Sequence, residues 1–329
     1  MTPLAAISGL AVDYHVGERR VRALDGVDLL VEARQALGIV GESGSGKSTL
    51  GLAFGRLLPP NAEVSEGELL IDGRSVLAYS PSELRAYRRD QLGFVFQSPA
   101  AALDPTRRIH RQLRDVLDTP RSDRDSLLRL LTRVGFADPE SVAAAFPHEL
   151  SGGMAQRVVV AIAIARRPKL IVADEPTAAL DSSVRNQVLD VLFGLPDEIG
   201  AAVVILTHDL RTVASRCSQV AVMYGGRVVE WGGRERVLAS PRHPYSAGLL
   251  AATPADDAMD ELVPIAGVPP VLRGRAQSCA YAPRCPLASA VCFEKRPEAR
   301  EVDDRTVICH HAEQLRAGGT GLVEASAAR

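Results

Sequence analysis

No apolar run in this sequence approaches the ~18–20 residues that a membrane-crossing helix needs. The longest runs only from Val158 to Ala165. Met1 to Leu10 also lacks the basic region followed by an apolar stretch that marks a secretory signal. These absences lead us to expect a soluble, cytoplasmic chain whose membrane role comes through a partner. A charge excess is missing as well. With 38 Lys+Arg against 40 Asp+Glu the formal net charge is −2, which gives no electrostatic reason to expect nucleic acid as a partner. No internal repeat is visible. Cysteine is scarce at five residues, and a cytosolic setting disfavours structural disulfides.

What is present is enough for a large core. The 329 residues, 46% of them hydrophobic, predict one large domain with an extension, or two domains. Ala36 to Val40 reads as a buried strand that runs into a glycine-rich turn. Leu50 to Leu58 reads as the helix leaving that turn, stopped by Pro59 and Pro60. Leu170 to Ala173 and Ala202 to Thr207 read as further buried strands, the pattern of a sheet covered on both faces. Glu68 to Ile71, before Asp72-Gly73, looks like a flanking antiparallel strand. Arg107 to Arg133 mixes eight arginines with Asp115, Asp118, Asp123 and Asp125 at helical apolar spacing. A basic nucleic-acid surface is one reading, and solvated amphipathic helices the one favoured by the mixed signs. After Val237 prolines punctuate the chain, and we place a boundary near residue 240.

Gly41-Glu42-Ser43-Gly44-Ser45-Gly46-Lys47-Ser48 has the P-loop spacing. Glycines let successive backbone N–H groups converge on phosphate oxygens, and the following helix N-terminus adds favourable polarity. Lys47 is expected to neutralise the β- and γ-phosphates and the Ser48 hydroxyl to reach Mg²⁺, with Thr49 beside them. A glycine turn that binds nothing is the bland alternative. Leu170-Ile171-Val172-Ala173-Asp174-Glu175 ends an apolar strand in two carboxylates. Asp174 suits Mg²⁺, a hard cation that wants oxygen ligands, and Glu175 suits the acceptor that deprotonates an attacking water. A surface turn or helix cap before Pro176 is the alternative. Leu150-Ser151-Gly152-Gly153-Met154-Ala155-Gln156 opens a second helix, and therefore a second candidate anion site.

In this order the motifs resemble those of ABC-family ATPases, with Ser151-Gly152-Gly153 as the signature. The resemblance implies an α/β P-loop cassette with a RecA-like core, an antiparallel β subdomain, and a helical subdomain at about residues 98–157. It implies a Q-loop glutamine at Gln97, also a Mg²⁺ neighbour, a D-loop at Ala179-Leu180-Asp181, and a switch histidine at His208. Gln156 and Asp181 join the ATP contacts on the same ground. Tyr14 lies where the family places an aromatic that stacks on adenine; the alternative is a tyrosine in a half-buried strand. Taken alone, Gln97 would usually be a solvated loop residue and His208 more often a structural histidine; their order and strand-end positions favour the functional reading.

The more specific resemblance is to the ATPase subunits of oligopeptide/dipeptide importers, a family that also includes nickel and glutathione importers. Phe146-Pro147-His148-Glu149-Leu150-Ser151-Gly152-Gly153-Met154, Ser240-Pro241-Arg242-His243-Pro244-Tyr245 and the late cysteines carry it. Ala155 departs from the usual basic or polar residue, and Ala33-Arg34 replaces the usual Gly-Glu. Neither touches phosphate chemistry. The resemblance implies a cassette at 1–240 and a small irregular extension at 241–329. It implies catalysis by Glu175, His208 and Lys47, and work as a dimer with an identical or paralogous cassette. It also implies two transmembrane permease subunits, an indirect link to an extracytoplasmic solute-binding protein, and a place on the cytoplasmic face of the bacterial inner membrane. A soluble ABC ATPase acting on nucleic acid, and a subunit that holds ATP without hydrolysing it, are the rival readings.

Cys279, Cys285, Cys292 and Cys309 are spaced C-x5-C-x6-C-x16-C. Structural zinc sites mostly pair cysteines two to four residues apart, so these fit zinc poorly, and no standard ferredoxin spacing matches either. The resemblance points to an iron–sulfur cluster, of the 4Fe-4S type, with zinc or unliganded thiols as alternatives. His310 and His311 are substitute ligands, and Cys217 stands apart.

Overall fold

Uninterrupted apolar runs become buried parallel strands in this chain. The computed structural model describes residues 2–117, 124–178, 180–253 and 264–315. The chain divides into two compact units. One is Met1–Leu4, Val31–Ala36 and Asp72–Leu206, and the other is Ala5–Leu30, Leu37–Ile71 and Thr207–Arg329.

In the first unit, strands Leu92–Val95, Leu170–Asp174 and Ala202–Thr207 lie side by side and parallel, Leu92 opposite Leu170 and Leu170 opposite Ala202. Every residue of Leu170–Asp174 and of Ala202–Thr207 is buried, which explains why neither alternates polar with apolar. Helices Ile109–Leu117, Arg124–Arg133, Pro139–Ala144, Gly152–Ile164 and Ser182–Ile199 belong to this unit. Ile109, Leu113, Leu127, Leu130 and Leu131 turn inward to one core with Val158 and Val159. Arg107 pairs with Asp115 at 2.5 Å and Arg124 with Glu140 at 3.2 Å on the outside. The arginine-rich stretch is therefore amphipathic helix; Asp118 and Asp123 lie outside the described residues.

In the second unit, Ala5–Val16 lies between Arg19–Val31 and the antiparallel strand Ala62–Ile71, with Ala5 opposite Ile71. The expected strand before Asp72-Gly73 is thus the end of a longer one, and both turn residues have positive φ (48° and 73°), as a tight hairpin turn requires. Ala36–Val40 runs parallel to Gln219–Tyr224, which pairs antiparallel with Arg227–Gly233.

Two features differ from expectation. The helix after the glycine loop is Lys47–Phe54 and ends before Pro59. Arg56 takes a left-handed φ of 48°, its N–H returns to the Ala53 carbonyl and that of Leu57 to Leu52. That Schellman closure stops the helix without proline. The segment after residue 240 is less irregular than its prolines suggest. It forms helix Pro244–Ala251 and strands Arg300–Glu301 and Arg305–Val307; Arg305–Val307 pairs antiparallel with Arg227–Gly233, and Arg300–Glu301 pairs antiparallel with it in turn. Among the described residues no helix is long and apolar enough to cross a membrane.

Candidate functional site

The site residues expected from sequence fall in both units, and each set has its own local frame. In the second unit the glycine loop leaves strand Ala36–Val40 and enters helix Lys47–Phe54 at Gly46. Gly46 has φ 103°, and a Cβ there would lie 2.7 Å from the Ala23 carbonyl oxygen; a Cβ on Gly41 would lie 2.2 Å from that of Met223. The neighbouring chain thus moulds the loop so closely that only glycine fits. Ser45 is held from both ends: its N–H donates to the Glu42 carbonyl at 3.2 Å and its own carbonyl accepts from Gly226 at 3.0 Å.

Lys47 is only 8% exposed, and its Nζ donates to the carbonyls of Gly41 at 2.7 Å and Glu42 at 3.1 Å. The ammonium therefore lies inside the curl of the loop, where a phosphate oxygen can exchange with a carbonyl. Ser48 and Thr49 occupy the first turn of the helix, and the Tyr14 hydroxyl lies 3.3 Å from Thr49 Oγ1. Tyr14 thus reaches the phosphate-loop helix from the antiparallel sheet. His208 is exposed directly after Thr207. Asp209 caps helix Leu210–Arg216 through the N–H groups of Arg211 and Thr212, fixing the turn that carries the histidine.

In the first unit Asp174 is the last residue of its strand and 7% exposed. Glu175 follows with φ 46°, while its N–H still donates to the Leu206 carbonyl at 2.8 Å. A left-handed glutamate costs energy and turns the side chain out of the strand's alternation, a form of strain that recurs at functional positions. Gln97 is exposed beyond strand Leu92–Val95. Gln156, 2% exposed, directs its Nε2 to the Phe96 carbonyl at 3.5 Å, so the signature helix touches the loop that carries Gln97.

Ser151 caps helix Gly152–Ile164, its Oγ accepting from Met154 N–H at 3.3 Å. A Cβ on Gly153 would meet Val184 at 2.9 Å, whereas Gly152 faces open space. Ala155 is 9% exposed and packs in the core, so its apolar departure from the signature pattern suits its place. Asp181 is exposed at the start of helix Ser182–Ile199; Ala179 lies outside the described residues.

The expected metal centre on the late cysteines finds no support in their placement. Cys279 N–H donates to the Cys292 carbonyl at 2.9 Å, and burial and then the other thiols push the Cys285 thiol up to about 12 and Cys309 to about 11. Yet among the described residues no group of three or more His, Cys, Asp or Glu is placed to hold a metal ion. The substitute ligands are engaged elsewhere, His310 Nε2 3.0 Å from the Lys295 carbonyl and His311 Nε2 2.8 Å from Ser289 Oγ. Gathered thiols are not ligand geometry, so the iron–sulfur and zinc expectations gain no support here. Cys217 is separate, 1% exposed against Gly38, its thiol pushed to about 12 by burial.

Sequence reasoning missed the residues that grip the loop from outside. Glu42 donates its N–H to Tyr245 Oη at 2.8 Å and accepts two hydrogen bonds from Arg284. Their separations of 203 and 242 residues left no local signal.

Residues 24–178 match the ABC transporter family. The oligopeptide transport ATP-binding protein OppD of Bacillus subtilis is 38% identical over 312 residues, covering 92% of this chain and 87% of that protein. The chain belongs to the ABC transporter family. Residues 229–292 of this ABC protein also match the C-terminal region of oligopeptide/dipeptide transporters. OppD of Mycobacterium tuberculosis is 41% identical over 95% of this chain, which spans about half (52%) of that longer relative. Among solved structures, the ATP-binding cassette MJ0796, a dimer bound to ADP and Pi, superposes with a TM-score of 0.64 at 31% identity. That match covers 70% of this chain and 98% of the other. The α/β cassette fold expected from the sequence is therefore the fold of the protein.

Proposed function

We propose that this chain binds and hydrolyses ATP to energise an importer of di- or oligopeptides. The phosphate loop carries the reading, because Lys47 lies in a glycine curl that a phosphate fits. Relatives named as oligopeptide and dipeptide transport ATP-binding proteins support the cargo.

In this reading Gly41, Ser43, Gly44, Ser45 and Gly46 present N–H groups to phosphate oxygens, and Lys47 draws off negative charge as it develops. Ser48, Asp174 and Gln97 offer the oxygen ligands that Mg²⁺ favours. When bound, the ion would supply electrostatic neutralisation of the charge that develops on the phosphates. Glu175 orients and deprotonates the attacking water, and His208 contacts the γ-phosphate. Tyr14 stacks on the base. Ser151, Gly152 and Gly153 present a second helix N-terminus to the nucleotide of a partner cassette, identical or paralogous, with Asp181 beside that junction. Gln156 serves by holding the loop of Gln97. The helical segment at 98–157 meets one of two permease subunits at the cytoplasmic face of the inner membrane. A solute-binding protein acts on the other side.

Phosphate release by the purified chain, alone and with its permeases, tests this. Lys47→Ala lowers nucleotide affinity and turnover together; unchanged values for both remove the phosphate loop from the reaction. The four cysteines form no part of this mechanism, and iron, sulfide and zinc analysis after anaerobic purification is the direct test of a metal on them.

A further inference from the structure

Arg284 is placed with unusual completeness. Its five N–H donors all have acceptors. Nη1 and Nη2 donate to the two carboxylate oxygens of Glu42 at 2.8 and 3.0 Å, and Nη1 also reaches Tyr224 Oη at 3.2 Å. Nε and Nη2 reach the carbonyls of Ala266 at 2.7 Å and Ile265 at 3.2 Å. The Arg284 side chain is 5% exposed and that of Glu42 24%. Gly267, at φ 81°, leaves the room: a Cβ there would stand 3.1 Å from Arg284 Cγ.

Glu42 is the second residue of the phosphate loop, and all three of its polar groups are engaged. Its carboxylate belongs to Arg284, its N–H donates to Tyr245 Oη at 2.8 Å, and its carbonyl accepts from Lys47 Nζ at 3.1 Å. Tyr245 is in turn wedged between Tyr224 and Tyr281, ring centroids 4.5 and 5.5 Å away, and is fully buried. A solvated glutamate at this position would leave the loop free to sample other curls. Here a bidentate, charge-assisted pair and an immobile phenol fix one.

We propose that Arg284 and Tyr245, both from the segment after residue 240, are positioning residues that hold Glu42 and thereby set the affinity of the phosphate loop for a nucleoside triphosphate. The inference rests on reading Gly41–Ser48 as the phosphate cradle. Neither residue touches the nucleotide. They act by removing the ordering cost the loop otherwise meets on binding, so their loss falls on affinity and not on the chemical step.

The test uses the full-length chain, titrated with a fluorescent ATP analogue and assayed for phosphate release across ATP concentration. Arg284→Ala and Glu42→Ala each raise Kd and KM about tenfold, while kcat at saturating ATP stays within about twofold. The double variant is no worse than either single one, because both remove one contact. Arg284→Lys recovers only part, since an ammonium cannot reproduce the fork. Wild-type Kd and KM in a folded Arg284→Ala, or losses that add in the double variant, overturn the proposal. Should Arg284→Ala fail to fold by thermal melting, Glu42→Gln and Tyr245→Phe leave the arginine in place and must raise Kd in the same direction; unchanged Kd in both overturns it. Lys47→Ala separates the two levels. If it binds the analogue as wild type does, the phosphate-cradle reading and this inference fall together. If it loses binding while Arg284→Ala and Glu42→Gln do not, the positioning role alone falls.

Discussion

The Glu175 amide donates to the Leu206 carbonyl at 2.8 Å while Glu175 itself sits at φ 46°, so one residue both continues the sheet and breaks from it. A carboxylate held on such a turn keeps a fixed direction without relying on side-chain packing. Glu175→Gln preserves the shape and removes the proton acceptor. Phosphate release then falls by about 10²–10⁴-fold, with nucleotide affinity retained. Single-turnover assays beside binding titrations check this, and near-normal turnover takes Glu175 out of the catalytic role.

Gly152 faces open space: a Cβ there would have none of the described residues within 4 Å. Gly152→Asp therefore folds, but it sets a carboxylate at a helix N-terminus assigned to an anion. ATP binding to the phosphate loop survives, whereas ATP-dependent cross-linking between two cassettes is lost. Cross-linking equal to wild type refutes the shared-nucleotide arrangement.

The buried strands were legible because continuous apolar runs such as Ala202–Thr207 have few other homes. The end of helix Lys47–Phe54 was not, since Arg56 in a left-handed closure carries no compositional sign where glycine would. Strands Arg300–Glu301 and Arg305–Val307 are too short to show a period. The phosphate loop, Asp174 and Glu175 could be read from spacing, but Glu42, Tyr245 and Arg284 could not, because only the fold brings them together. For the cysteines, sequence clustering does not by itself give ligand geometry: among the described residues no group of three or more ligating side chains is placed to hold a metal, so the cluster that the resemblance implies gains no support.

His243 supplies a pH dependence. It is 1% exposed, and its Nδ1 accepts from Tyr245 N–H at 3.0 Å, capping helix Pro244–Ala251. Burial, reinforced by the charge of Arg227, lowers its pKa from 6.5 to about 3. The folded state thus refuses a proton that the unfolded state accepts. The stabilisation is whole above pH 6.5 and is lost as pH falls toward 3, at up to about 1.4 kcal/mol per pH unit. Melting temperatures of wild type between pH 7 and 5 decline more steeply than those of His243→Asn. Parallel declines contradict the assignment.

Arg305 and Glu230, 2% and 0% exposed, pair at 3.3 Å, and Glu230 also accepts from the N–H groups of Arg242 and His243. Arg305→Ala leaves a buried carboxylate without its cation. Denaturant unfolding shows a loss of about 3–5 kcal/mol. Glu230→Gln with Arg305→Met removes both charges and recovers much of it; equal losses in the single and double variants argue against the pair.

Strand Arg227–Gly233 is flanked on its far side by Arg305–Val307, and beyond that, among the described residues, only Arg300–Glu301 continues the ladder. Strand Arg305–Val307 is thus a seal on a sheet margin. A protein cut at residue 240 would lose that cover, and the edge now paired at Glu230, Trp231 and Gly232 would present unmatched backbone groups, the kind of template on which one chain recruits another into aggregates. Solubility, quite apart from turnover, depends on strand Arg305–Val307 staying in place.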